Sequence, residues 1–311
     1  MDSRPFDSRF GNSYSWFNLH MERVLVFGGT GLVGSGVVQR LRGVFEITIS
    51  TRKDVNLEDE IATRHVVRDI HPDHILYAAG IARINEAERE PEKAFALNAK
   101  SAMWIAEESA KLGIPLHYLS TNAVFSGSRF DRISVEDDVP DPISVYGKSK
   151  YEGEQIVLAA SPLNSVLRLI SVYSASYSYR DDFARRIVND LRFNKRIDAI
   201  LDDQFNPLLV SRGAEAIVAA IQKRASGVYH LGATDVISNA DFVSLLAEEL
   251  KINNPSINAV SFDEFISERP GFAPRGKYMA IDTSKFCRDF GEGILATNKQ
   301  SIHEFVNTLA I

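Results

Sequence analysis

The chain has 311 residues, 45% apolar, 24% charged and 10% aromatic, and its 35 Lys and Arg against 41 Asp and Glu give a net charge of −6. These values exclude disordered, collagen-like and coiled-coil chains and leave room for one large domain or two smaller ones. Mild acidity without a long basic run argues against nucleic acid as a partner. The single cysteine, Cys287, excludes an internal disulfide and a cysteine-built zinc site. No apolar run reaches the roughly 18 residues that cross a bilayer, so no membrane partner is expected and a reducing, cytoplasmic setting fits best.

Residues 1–20 stand apart: they have no steady period and lack a secretory signal's basic start and apolar stretch. Two readings stay open for them, an extension with little part in the fold or an arm that packs Phe6, Phe10, Trp16 and Phe17 on the body or on a second subunit. From Met21 onward, strands and helices alternate. The pattern predicts strands at 23–27, 46–50, 74–77, 115–119 and 166–170, and helices at 32–42, 57–70, 91–112 and 147–160. Pro91 suits a first helical turn and Gly113 a stop. Near-continuous apolar strands alternating with helices predict an α/β fold, a doubly wound parallel sheet of the Rossmann type. Beyond residue 173 the alternation loosens. A basic amphipathic stretch runs over 183–196, a late strand over 227–231 and an Asn-capped helix over 239–250. The basic stretch is either a solvated helix face or a positive rim over a cleft that holds a diphosphate. The expected division is a dinucleotide-binding part at 21–173, with returns near 204–232 and 278–290, and a smaller C-terminal substrate-binding cap within 174–311.

Gly28-Gly-Thr-Gly31-Leu-Val-Gly34 follows the first strand and opens the first helix. Glycines there permit a tight turn and close approach to a pyrophosphate, and the helix start offers free N–H donors. Strand before and helix after make this a dinucleotide site. At the end of the second strand, where a carboxylate would select NAD, stand Thr51, Arg52 and Lys53. A 2′-phosphate would pair with such cations, so NADP(H) is favoured, with NAD(H) the other possibility.

Tyr146-Gly-Lys-Ser-Lys150 opens a predicted helix. Four-residue spacing sets Tyr146 and Lys150 on one face, about 5–6 Å apart at Cβ. A neighbouring ammonium favours the phenolate and brings a tyrosine toward working range. Thr121 lies at a strand's carboxyl end, where open α/β sheets place ligands, and can orient a carbonyl that Tyr146 protonates.

The glycine loop, Ala78-Ala-Gly80, Ser120-Thr-Asn-Ala-Val-Phe125 and Tyr146-Gly-Lys-Ser-Lys150, taken in that order, resemble the extended short-chain dehydrogenase/reductases. Within them, the chain is most similar to the dTDP-4-dehydrorhamnose reductase branch of nucleotide-sugar 4-ketoreductases. Asn85 to Asn98, Asn206-Pro207 and Arg269-Pro270 echo further landmarks of that branch. The resemblance implies a reductase of the C=O/CH–OH type in deoxysugar and cell-surface polysaccharide biosynthesis, with a nucleotide sugar as substrate and a homodimer as a possible assembly. It assigns catalysis to Thr121, Tyr146 and Lys150, with Lys150 also binding nicotinamide ribose. Gly28, Thr30, Gly31, Leu32, Val33 and Gly34 would meet the pyrophosphate, Thr51, Arg52, Asn56 and Leu57 the adenosine end, and Ala78, Ala79 and Gly80 the rest of the cofactor. Asn122, Ala123, Ser171, Asn206 and Arg269 would meet substrate. Asn122-Ala123 stands where the branch has Asp-Tyr, Ser171 where it has Trp, and Tyr77 where it has Asn. Two other readings remain. One is an epimerase or dehydratase of the same superfamily. The other is a non-catalytic, cofactor-bound subunit resembling methionine adenosyltransferase β.

Overall fold

The computed structural model describes residues 21–177 and 182–309, so both readings of residues 1–20 fall outside the described residues. Eight strands are described: β1 (Arg23–Phe27), β2 (Glu46–Ser50), β3 (His74–Tyr77), β4 (Leu116–Thr121), β5 (Ser165–Leu169), β6 (Ile197–Ile200), β7 (Gly227–Leu231) and β8 (Ile257–Val260). Six of them form one parallel sheet in the order β2-β1-β3-β4-β5-β7. The order reverses between β1 and β3, and the carboxyl edge beside such a switch is where open α/β sheets bind ligands. β3, β4 and β5 are buried along their whole length, as expected of parallel strands covered on both faces.

The helices in chain order are α1 (Leu32–Leu41), α2 (Glu60–Ile70), α3 (Ile84–Arg89), α4 (Pro91–Phe95), α5 (Ser101–Leu112), α6 (Val145–Ala160), α7 (Phe183–Arg192), α8 (Val210–Gln222), α9 (Asn239–Glu249), α10 (Phe262–Ser267), α11 (Ser284–Phe290) and α12 (Asn298–Thr308). One face of the sheet packs Val24, Val26, Leu167 and Leu231 against Val37 and Leu41 of α1, Ile217 and Ile221 of α8, and Phe286 of α11. The opposite face packs Leu25, Ile75, Leu116 and Val166 against Val67 of α2, Ile105 of α5 and Val157 of α6. The helix predicted from 57 begins at Glu60, because the Asp59 side chain accepts from the Ala62 N–H and fixes the first turn there. Likewise Ser238, not Asn239, caps α9, in a reciprocal box with Asp241.

The helix predicted over 91–112 is broken by a π-helical turn, Ala96–Lys100, between α4 and α5. The widened turn leaves carbonyls free for tertiary bonds. Tyr77 donates to the Leu97 carbonyl and Tyr118 to that of Asn98, each at 2.6 Å, with the two rings stacked 5.9 Å apart. The Asn98 side chain meanwhile ties the Ile81 backbone to the Ser149 hydroxyl of α6.

Past residue 182 a second, smaller layer stands over the carboxyl edge. β6 and β8 pair in parallel, and Tyr173, Phe205, Phe242 and Phe305 form a buried cluster with Val188 of α7 and Leu246 of α9. Tyr173 meets Phe242 and Phe305 edge-on at 5.5 and 5.2 Å, an arrangement aromatic pairs favour. Among the described residues, no helix is long and apolar enough to cross a membrane.

Candidate active site

The glycine loop needs its glycines for space. Gly28 has φ +80°, and a Cβ there would lie 2.6 Å from the Ala78 backbone of the neighbouring strand connection. A Cβ on Gly34 would strike the Gly28 carbonyl, whose oxygen already accepts from the Gly31 N–H at 3.0 Å. Gly34→Ala is therefore expected to lower the unfolding free energy by roughly 1–3 kcal/mol, the usual cost of overpacking. Denaturant titration would check this, and a stability equal to that of the parent would contradict the geometry. At the start of α1 no side chain caps the backbone N–H groups and the first turn holds no acid. Those donors, with the positive end of the helix dipole, suit a diphosphate.

Gly31 to Gly34 open into a cleft of about 940 Å³ that also exposes Ala78, Ala79 and Gly80. Gly28 and Thr30 do not line it: Gly28 is half-buried at the loop's start, and Thr30 is exposed, its carbonyl accepting from the Tyr177 hydroxyl at 3.3 Å. The adenosine-side residues lie beyond the cleft lining. Thr51 turns its N–H and hydroxyl to the Asp54 carboxylate at 2.8 and 2.7 Å, which holds that carboxyl below its ordinary range. Arg52 and Lys53 point outward on the exposed turn, Asn56 is exposed and Leu57 half-buried.

Thr121, Tyr146 and Lys150 converge on the cleft floor. Thr121 ends β4, and its Oγ1 accepts from the Ala123 N–H at 3.1 Å, capping a short 3₁₀ turn. α6 starts at Val145 because Ser144 accepts from the Gly147 N–H and Glu88 accepts from the Val145 N–H at 2.7 Å. One turn on, the Lys150 ammonium sits 4.1 Å over the Tyr118 ring. The expectation was that Lys150 would draw Tyr146 down. Here burial dominates both groups. It pushes the Tyr146 phenol up, against a hydrogen bond from Thr121, and pulls Lys150 down to about 7, against the field of Glu154. A phenol that keeps its proton is the form a general acid needs.

Asn122, Ala123 and Ser171 line the same cleft. Asn122 donates to the Met279 carbonyl at 2.9 Å, tying the strand end to the cap, and Ser171 holds a left-handed φ of +33° at the wall. Asn206 and Arg269 are not brought there. Asn206 is buried and cross-ties Ala233 and Ile281. Arg269 pairs with Asp198 at 2.9 Å and covers the Phe265 ring at 3.7 Å, behind the wall. Besides Lys150, the cations that reach the cleft are Arg83, Arg89, Arg275, Lys277 and, from the basic stretch, Arg186. Arg275 is held by the Asn85 side chain at 2.9 Å and makes no ion pair among the described residues, and burial pushes its guanidinium down. Lys277 pairs with Asp202. Phe262 and Phe265 complete this wall with Asp203, whose carboxyl burial pushes up to about 6. Of these cations, Arg186 in the basic stretch and Arg89 in the Asn85–Asn98 segment lie where the sequence carries a signal. Arg275 and Lys277 lie in a loop whose Pro274-Arg-Gly-Lys277 run has no period and no motif.

With this geometry in view, the sequence profile of the RmlD substrate binding domain matches residues 21–311. The chain belongs to that family. A dTDP-4-keto-6-deoxy-D-glucose reductase of Streptomyces niveus is 32% identical over 67% of this chain and 72% of its own. The β subunit of methionine adenosyltransferase 2 from Mus musculus is 25% identical, covering 86% and 82%. The crystal structure of a dTDP-4-dehydrorhamnose reductase from Bacillus anthracis in complex with NADP superimposes with a TM-score of 0.83 at 25% identity, over 92% of this chain and 99% of that one. No group of three or more His, Cys, Asp or Glu side chains gathers as a metal site among this RmlD-family chain's described residues.

Proposed function

We propose that the protein is an NADP(H)-dependent reductase of the 4-keto group of a nucleotide-linked 4-keto-6-deoxy sugar. The observation that carries this reading is one continuous cleft. It runs from the uncapped start of α1, across Thr121, Tyr146 and Lys150, to a cap wall bearing Arg275, Arg186 and two phenylalanines. The reductase relatives of the RmlD family support it, one of them solved with NADP. NADPH, when bound, supplies the hydride. The glycine loop would hold its diphosphate, and Arg52 and Lys53, which make no ion pair among the described residues, would meet a 2′-phosphate. Thr121 orients the keto oxygen, Tyr146 delivers the proton to it, and Lys150 keeps positive charge beneath the developing phenolate. Arg275, a cation with no ion-paired carboxylate among the described residues, is matched to the substrate's diphosphate.

The test is consumption of NADPH, against NADH, with a panel of nucleotide-4-keto-6-deoxy sugars. Oxidation by one member establishes the reaction. Tight NADPH binding without oxidation by any member would instead favour a non-catalytic, cofactor-bound partner subunit. Arg275→Met is expected to raise KM for the sugar roughly tenfold or more, the worth of a charge-assisted hydrogen bond, with NADPH affinity unchanged. An unaltered KM would remove Arg275 from substrate binding. Cytoplasmic action and a homodimer belong to the same proposal, and sedimentation of the purified chain tests the second.

A further inference from the structure

Directly below the cleft floor lies a buried polar network that the proposed reaction does not use. Glu154 follows Lys150 by one helical turn, on the same buried face of α6. Its carboxylate is 1% exposed and takes Arg168 Nε at 3.0 Å and Nη2 at 2.7 Å. The Ser120 hydroxyl, one residue before Thr121, also donates to it. Arg168 turns its remaining nitrogen, Nη1, away from α6, toward His230 Nε2 at 3.3 Å and the Glu136 carbonyl at 3.4 Å. The ion pair is therefore oriented, with its negative end on the helix that carries Lys150 and its positive end toward β7.

Other groups around Lys150 are polar or aromatic without carrying negative charge. Tyr118 of β4 lies under the ammonium, stacked on Tyr77 of β3, and Tyr146 precedes it on α6. Burial holds all three phenols protonated. Lys150 makes no ion pair among the described residues, so Glu154 acts on it through space across a low-dielectric interior.

We propose that Glu154 is a positioning residue for Lys150: its carboxylate, clamped by Arg168 and Ser120, sustains the ammonium form of Lys150 at the cleft floor. Through Ser120 it also holds the end of β4, so that charge and geometry at the site share one anchor. In the reaction this matters because a neutral Lys150 could neither stabilise a phenolate nor hold a cofactor hydroxyl as a cation; that consequence rests on the reductase reading, whereas the coupling itself does not.

The experiment therefore uses the full chain without cofactor. Denaturant unfolding of the parent, Glu154→Gln, Lys150→Met and the double variant forms a cycle that isolates the Glu154–Lys150 coupling, measured at pH 6 and pH 9. The expected result is a favourable coupling at pH 6, where Lys150 is charged, and its loss at pH 9. Equal coupling at both pH values would overturn the proposal, because a purely structural role does not depend on the Lys150 proton. Glu154→Gln strands the Arg168 charge, and the fallback applies if that variant does not fold. In that case Glu154→Gln/Arg168→Gln, which removes both charges, replaces it in the same cycle with the same expected result. If turnover has been established, the basic limb of its pH profile should move to lower pH in the glutamine variant and return in Glu154→Asp.

Discussion

Replacing Tyr146 with phenylalanine is expected to lower turnover by roughly 10²–10⁴-fold, the range that a positioned general acid supplies, while NADPH affinity stays nearly unchanged. The ring keeps its packing at the start of α6, capped by Ser144 and Glu88, so the backbone that places Lys150 is undisturbed. What disappears is the phenolic proton that Tyr146 brings to the cleft floor. The Thr121 hydroxyl loses a partner but still accepts from the Ala123 N–H. The hydroxyl keeps Ala123 and Asn122 as partners, so the lost hydrogen bond costs only about 0.5–1.5 kcal/mol, which a domain of ordinary stability tolerates. Lys150→Met should behave differently and weaken cofactor binding as well as turnover, since that side chain faces the cleft from below. Steady-state NADPH oxidation and a fluorescence titration of NADPH separate the two patterns. Turnover in Tyr146→Phe within a few-fold of the parent would deny the tyrosine its role.

The parts of this site legible in the sequence are those whose chemistry is local. The glycine loop is legible because one backbone turn, Gly28 to Gly34, contains the whole steric requirement, including the contacts that exclude a Cβ. Tyr146 and Lys150 are legible because helical spacing alone puts them on one face. All six strands of the main sheet are predicted to within two residues: the inner ones because a buried parallel strand needs an apolar run, and the edge strand β2 through its β-branched residues. The failures share the opposite cause. The π turn at Ala96–Lys100 exists to satisfy Tyr77 and Tyr118, hydroxyls on two other strands. Those bonds also account for Tyr77, a residue without an evident purpose in the sequence. Arg269 and Arg275 lie six positions apart in the same loop-rich stretch. Only the fold determines that the first turns to Asp198 and the second, steered by Asn85, into the cleft. The Glu154–Arg168 pair likewise joins a helix face to a strand and leaves no trace in either local pattern.

Acid should destabilise the protein well before its carboxylates are fully titrated. At the amino edge of the sheet, opposite the cleft, His117 sits between the Ser165 hydroxyl at 2.8 Å and His74 at 3.5 Å, and His74 reaches Glu22 at 3.3 Å. Burial, aided by the neighbouring His74, pulls His117 down to about 3, and burial beside Arg168 pulls His230 down to about 3. Both groups charge in the unfolded chain near the usual 6.5 but stay neutral in the folded one. The unfolded state therefore binds more protons over this interval, and stability falls as pH drops below about 6.5. Two imidazoles give about 2.7 kcal/mol per pH unit. Asp203 works the other way: burial raises its carboxyl to about 6, so the folded state gains a proton first and returns about 1.4 kcal/mol per unit until the ordinary carboxylate range is reached. The net expectation is a loss of about 3 kcal/mol between pH 6 and pH 4, a large part of a typical folding free energy. Denaturant titrations across that interval measure the slope. His117→Gln, which removes one imidazole, should flatten it by about 1.4 kcal/mol per unit. A variant whose slope matched the parent's would mean that His117 is already charged in the folded protein, and that the Ser165–His117–His74 chain is not closed as the distances describe.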